Sequence, residues 1–174
     1  TFHPGFIEDP ISESDGKKNY DFKFKKFTNS KKKYEECFQN MIISLKEIST
    51  FAKKNNISLS IETEGSRKKN FCFMYHYDEY LRLYKFFSNK DFGLNLNIGH
   101  LNLASKLPKF RKSIFIKKLK KYIVAFELSH NNGLDDQHLP LKKNAWYWKY
   151  LNMQEFSKIP KILEFRNTAI SDLK

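Results

Sequence analysis

The sequence predicts an α/β fold with parallel strands, and three observations carry that reading. Apolar residues that return at helical spacing alternate along the chain with short β-branched or continuous apolar runs. One such run, Tyr122–Leu128 (YIVAFEL), is apolar almost throughout, as strands buried on both faces of a parallel sheet are. Four successive predicted strands also end in polar groups, at Glu62, Asn97, Glu127 and Glu164. Repetition of helix, strand, polar loop and helix is the grammar of βα units.

The elements follow in order. HPG at 3–5 is expected where a strand leaves for a loop, and residues 11–33 are expected as a long polar, basic loop without periodicity. Helical spacing runs from Tyr34 to Lys54 through Phe38, Ile42, Leu45, Ile48 and Phe51, and Asn55-Asn56 stop it. Ile57–Ile61 is a strand running into ETEG, where Gly65 permits a turn. His76–Phe87 is helical, with His76 a cap or surface residue. Gly93–Leu96 is a strand that ends at Asn97 and breaks at Gly99, and Leu101–Leu107 is a short helix closed by Pro108. Phe110–Lys120 is a basic amphipathic helix, and the strand Tyr122–Leu128 passes into an Asn131-Asn132-Gly133 turn. Asn144–Leu151 is helical, and Ile159–Phe165 is a short strand interrupted near its start by Pro160.

A chain of 174 residues, 40% hydrophobic, has material for one core, so a single domain over 1–174 is expected. The aromatic fraction of 16% needs a core or partner to cover it, which excludes disorder throughout. The formal charge of +13 would attract phosphates, nucleic acid or acidic surfaces, although solvated helix faces produce the same basic runs. Cys37 and Cys72 form no CxxC, which suits a reducing, cytoplasmic setting. No window reaches the apolar length of a membrane span, so no membrane partner is expected.

Parallel neighbours would bring the four polar strand ends to one end of the sheet, where ligands sit in βα folds. A lone Glu at a strand terminus more often pairs with Lys or caps a helix, but coincidence at four ends favours a site. Carboxylates gathered there repel one another unless a cation compensates them. Oxygen and imidazole donors without thiolates suit Zn, Mn, Mg, Co or Fe. Asp136-x-His138 lets two ligands reach one point from an irregular loop, and His130 serves the same ion, a second one, or the substrate.

HPG at His3, ISLSIETEG around Glu62, LNLNIGH at Asn97–His100, ELSHNNGLDDQHLPL at Glu127–Leu141 and ILEFRN around Glu164 occur in an order and spacing that resemble the xylose isomerase-like TIM barrels. That family includes sugar-phosphate isomerases and epimerases and nucleases of the endonuclease IV type. The resemblance implies a (β/α)8 barrel, incomplete here, with the chain starting near the end of the third strand and the first two βα units outside it. It places Glu62 and Glu164 on the metal-binding glutamates that double as proton-transfer bases, and Asn97 where the family has a metal-binding Asp. His100 falls on a histidine that serves substrate or a second metal, and Glu127 falls where a metal-binding His is usual. In the nuclease branch His3, Asp136 and His138 would complete a cluster of zinc ions.

The function these positions imply is a metal-dependent isomerase or epimerase of a small sugar or sugar phosphate. Its catalytic residues would be Glu62 and Glu164, and His3, His100, His130 and Trp146 would contact substrate. Glu62, Asn97, Glu127, Glu164, Asp136 and His138 would hold a divalent Mn, Mg, Co or Zn ion. Two alternatives stand beside it: a phosphodiesterase acting on abasic DNA, and a barrel-derived binding protein without turnover. A homo-oligomer is left open, and nucleic acid remains a partner through the net charge.

Overall fold

A computed structural model describes residues 1–11, 31–65, 72–106 and 109–166. Four strands, β1 (Ser60–Glu62), β2 (Gly93–Asn97), β3 (Ile123–Leu128) and β4 (Lys161–Leu163), form one sheet in the order β1-β2-β3-β4, and every adjacent pair is parallel. The architecture is a partial TIM barrel. On the far side of β1, Phe2 pairs with Ile61 in the parallel sense, through Phe2 N–H to Ser60 O and Glu62 N–H to Phe2 O. The chain then leaves the sheet at HPG, as expected, with Gly5 at φ +109°.

The first helix, α1 (Lys31–Lys54), starts earlier than its apolar spacing suggested, so Lys31–Lys33 belong to it and not to the basic loop. Residues 12–30 of that expected loop lie outside the described residues. The buried stripe is Phe38, Met41, Ile42, Leu45, Ser49 and Ala52, whereas Ile48 and Phe51 are exposed. At about 100° per residue a stripe set by Phe38 returns near positions 49 and 52, so a 3.5-residue count drifts off the core side after two turns. Lys53 and Lys54 complement the carbonyl end of the helix dipole, and Asn56 closes the helix in the left-handed region (φ +55°).

The remaining helices are short: α2 (Tyr77–Leu83), α3 (Ile98–Ala104), α4 (Lys112–Leu119) and α5 (Trp148–Leu151). They pack Tyr80, Leu83, Leu101, Phe115 and Leu119 against the outward residues Leu94, Leu96 and Phe126 of the sheet, all fully buried. β2 is buried at all five positions because it lies between two paired strands. Its register with β3 slips between Leu94 and Asn95, which pair with Ile123 and Ala125 and leave Val124 as the extra residue. β4 is exposed along its length. Ile162 and Leu163 meet solvent, and no further strand pairs its outer edge among the described residues.

The start of α2 is a buried polar knot. His76 caps the helix, as its position before the helical run suggested, by accepting from Asp78 N–H. Glu79 Oε2 accepts from the N–H groups of Tyr75 and His76, both at 3.2 Å, and Oε1 accepts from Tyr34 OH at 2.7 Å. Burial outweighs those donors and pushes the Glu79 carboxyl up to about 7. Because this value is raised, the native state favours the protonated acid. Stability is therefore full below the ordinary carboxylate value near 4.5, falls as pH rises towards 7, and is level above that. The expected loss is on the order of 3 kcal/mol. Glu79→Gln keeps acceptor and shape, so its melting temperature should change less between pH 5 and 8 than that of the parent; an unchanged pH slope would refute the assignment.

Candidate functional site

Parallel register and side-chain alternation bring the polar strand ends together. Asn97 on β2 sits opposite Glu127 on β3, and Glu127 sits opposite Ile162, two residues before Glu164, so all face one side of the sheet. Glu62 joins them at the end of β1. The Phe2–Ile61 pairing carries His3 alongside, with Nε2 at 3.5 Å from Glu62 Oε2 and Nδ1 at 3.3 Å from Glu64 Oε2. Fully buried Tyr80 fixes the end of β1 from beneath, donating to Glu62 O at 3.0 Å and Met74 O at 2.9 Å. Met74 adopts the left-handed region (φ +67°), and its carbonyl also accepts from Glu64 N–H.

Six side chains close a circuit. Asn97 Nδ2 donates to Glu62 Oε1 at 3.0 Å, and Glu62 Oε1 lies 3.2 Å from His100 Nδ1. His100 Nε2 lies 3.4 Å from Asp136 Oδ2, which is 2.8 Å from His138 Nε2. His138 Nδ1 lies 3.4 Å from Glu164 Oε2, and that oxygen accepts from Asn97 Nδ2 at 3.0 Å. Glu127 joins the circuit at Asn97, its Oε2 accepting from Asn97 Nδ2 at 3.2 Å and its Oε1 from Asn95 Nδ2 at 2.7 Å.

The loop after β3 is folded back by its own polar groups. Asn131 Oδ1 accepts from Gly133 N–H, and Asn132 Oδ1 accepts from the N–H groups of Leu134 and Asp135. His130 and Leu139 exchange two backbone hydrogen bonds. This bridge and the left-handed backbone of His138 (φ +48°) return Asp136 and His138 to the strand ends. The NNG turn therefore stands as expected, and the histidine at 130 contributes through its backbone. Its ring lies 6.1 Å from that of Tyr147, and burial beside Lys142 lowers its pKa. Trp146 packs on Tyr147 and Tyr150 with Lys112 Nζ over its ring at 4.6 Å. Neither His130 nor Trp146 makes a described side-chain contact with the six-residue circuit.

Electrostatics follow from the alternation of acids and imidazoles. Burial alone would raise the Glu62 carboxyl, but His100 and His3 outweigh it and hold it at about 2. Burial would lower the His138 imidazole, but Asp136 and Glu164 raise it to about 9; burial opposes charge on His100 too, yet Asp136 and Glu62 hold it well above the ordinary imidazole range. Asp136 is held below the usual carboxylate range by its two histidines despite its burial. Burial and the neighbouring Glu62 push Glu127 upward, so of that pair Glu127 keeps its proton to the higher pH.

Two groups have the donor set and spacing of a metal site: His3, Glu62 and His100, and His100, Asp136 and His138. The second fits a divalent ion well. His100 Nδ1 lies 2.7 Å from Thr63 O and His138 Nδ1 lies 3.2 Å from Glu164 O. A carbonyl only accepts, so Nδ1 of each ring carries the hydrogen and Nε2 is left as the ligating atom facing Asp136. Asp136 Oδ1 is buried without a hydrogen-bond partner, as an oxygen reserved for a cation would be. The position between Glu62, Asn97, Glu127 and Glu164 fits less well, because Asn97 Oδ1, the oxygen expected to serve a metal, accepts from His100 N–H at 3.1 Å as the cap of α3.

Two participants were not singled out from the sequence. Asn95 was legible as the residue two before Asn97 in LNLN, on the same face of β2. Gly65, expected as a turn residue, is needed for close approach: a Cβ there would lie 2.6 Å from His100 Cδ2.

A sequence-family profile described as xylose isomerase-like TIM barrel matches residues 12–171. The fold is similar to the crystal structure of a D-tagatose 3-epimerase-like protein, with a TM-score of 0.66 and 22% identity over 82% of this chain and 52% of that one. It is also similar to a protein from Rhodospirillum rubrum described as a candidate xylose isomerase, with a TM-score of 0.63 and 15% identity over 82% and 51% of the two chains. The chain thus spans about half the length of these solved structures. No curated protein matches it.

Proposed function

The chain belongs to the xylose isomerase-like TIM barrel family, and from that premise we propose that it is a metal-dependent isomerase or epimerase of a small sugar or sugar phosphate. One observation carries the proposal: the carboxylates of Glu62 and Glu164 both meet Asn97 Nδ2 at 3.0 Å, so the two oxygens stand within about 6 Å of each other across the strand ends. Two carboxylates brought that close suit removal of a proton from a carbon next to a carbonyl by one and its return by the other.

In this reading Glu62, buried and kept ionised by His100 and His3, takes the proton, and the more exposed Glu164 delivers one. His3 stands at the exposed rim of the mouth, where its ring can orient a substrate hydroxyl. His100, Asp136 and His138 would hold the divalent ion, Mn, Mg, Co or Zn. When bound, the ion polarises an adjacent carbonyl or hydroxyl oxygen and so acidifies the carbon to be deprotonated.

A second reading is favoured by the two metal-capable groups sharing His100, since paired sites suit phosphodiester hydrolysis, and by the +13 charge, which would draw a phosphate backbone. One experiment separates them. The protein is incubated in D2O with Mn2+ and a panel of ketoses, aldoses and their phosphates, and in parallel with a duplex carrying an abasic site. Deuterium gained at the carbon beside a substrate carbonyl is the expected result. Strand cleavage without exchange would transfer the assignment to the nuclease, and neither activity would leave a barrel that binds without turnover. No helix among the described residues is long and apolar enough to cross a membrane.

A further inference from the structure

Every oxygen facing the centre of the site from β3 is already taken by an amide. Glu127 Oε1 accepts from Asn95 Nδ2 at 2.7 Å and Oε2 from Asn97 Nδ2 at 3.2 Å. The same Asn97 nitrogen lies 3.0 Å from oxygens of Glu62 and Glu164, so the two hydrogens of a single NH2 group are shared where three carboxylates converge. Its orientation is fixed from behind, because Asn97 Oδ1 caps α3 by accepting from His100 N–H. Turning the amide over would break that cap and set the Oδ1 lone pairs against three carboxylate oxygens. Asn97 is fully buried, so water is a poor substitute donor.

We propose that the Asn97 carboxamide occupies the place of a cation: it is the positioning residue that holds Glu62, Glu127 and Glu164 together, and the space between those three glutamates is not a metal site in this chain. Asn97 and Glu127 are register partners on adjacent strands, and the two residue types belong together. An amide on β2 supplies hydrogens, and a carboxylate on β3 receives them. An imidazole at 127 would present at most one acceptor to the two amides of Asn95 and Asn97, and a carboxylate at 97 would supply neither of the two hydrogens that the three glutamates share. The inference concerns occupancy and holds whether or not the protein transfers protons, so its failure and that of the isomerase reading are separable.

The test uses the whole protein carrying His100→Ala, which removes the imidazole common to both metal-capable groups and keeps the backbone N–H that Asn97 caps, stripped with chelator and then titrated with Mn2+ by equilibrium dialysis and thermal melting. This protein should take up no Mn2+ at millimolar concentration. Adding Asn97→Asp, which keeps the helix cap, should create uptake of one ion per chain, with a gain in affinity of at least ~10-fold. Adding Asn97→Ser instead keeps a cap without the NH2 group, so the protein should melt lower than its parent at neutral pH and recover on addition of Mn2+. Uptake by the His100→Ala protein that is lost on Glu127→Gln would overturn the proposal. So would Asn97→Asp that folds but gains no ion, or, if that variant does not fold, Asn97→Ser that melts like its parent.

Discussion

Glu62→Gln and Glu164→Gln should each lower kcat for proton exchange by about 10²–10⁴-fold while leaving the fold intact. Both glutamates accept from Asn97, and a Gln carbonyl oxygen can accept in the same place, so the circuit keeps its shape while the base is lost. KM should change far less than kcat, since the loss falls on the step and not on uniform binding. The two variants should also differ. Glu62 is the partner of both His100 and His3, so its removal should weaken the hold on those rings. Glu164 touches His138 at the mouth, and its loss should leave His100 and His3 undisturbed. Exchange within about threefold of the parent in both variants would remove these glutamates from the chemistry.

Asp136→Asn should abolish stabilisation by divalent ions. Asp136 Oδ2 is shared by His138 Nε2 at 2.8 Å and His100 Nε2 at 3.4 Å, and Oδ1 is buried without a partner. The variant places an amide nitrogen among ligating nitrogens and removes the one negative charge of that donor set. An ion present at a hundred times its dissociation constant stabilises the native state by about 2.7 kcal/mol, or about 5–10 °C in melting temperature for a chain of this size. The parent should show that rise with Mn2+ or Zn2+ and the variant should not. An equal rise in both would place the ion elsewhere, and the pair formed by His3 and Glu62 with His100 would be the next group to vary.

The sequence reached the helices and strands through periodicity, and it failed where two periods stay close for a turn or two. Phe38, Ile42 and Leu45 fit either count, and only the packed helix reveals that Ser49 and Ala52 face the core while Ile48 and Phe51 do not. A small or polar residue on the buried face carries no hydropathy signal, so the sequence alone assigned the stripe to the larger apolar neighbours. Gly65 illustrates the same limit. Its composition suggests a turn, but its role is set by a ring that arrives from another strand end.

The sequence by itself determined which residues lie at strand ends, because a short apolar run followed by Glu, Asn or His marks both the strand and its exit, and parallel pairing does the rest. It also pointed to Asp136 and His138 as joint candidates for the site, since two ligating residues at that spacing after an Asn-Asn-Gly turn are carried on one loop. The tertiary structure alone decided their partners. Whether His130 turns its ring or its backbone to the site depends on a bridge to Leu139, and the direction of the Asn97 amide depends on a helix cap two bonds behind it. A residue type states which hydrogens and lone pairs are available. Only the neighbours that take up one end of the group fix which way the other end points.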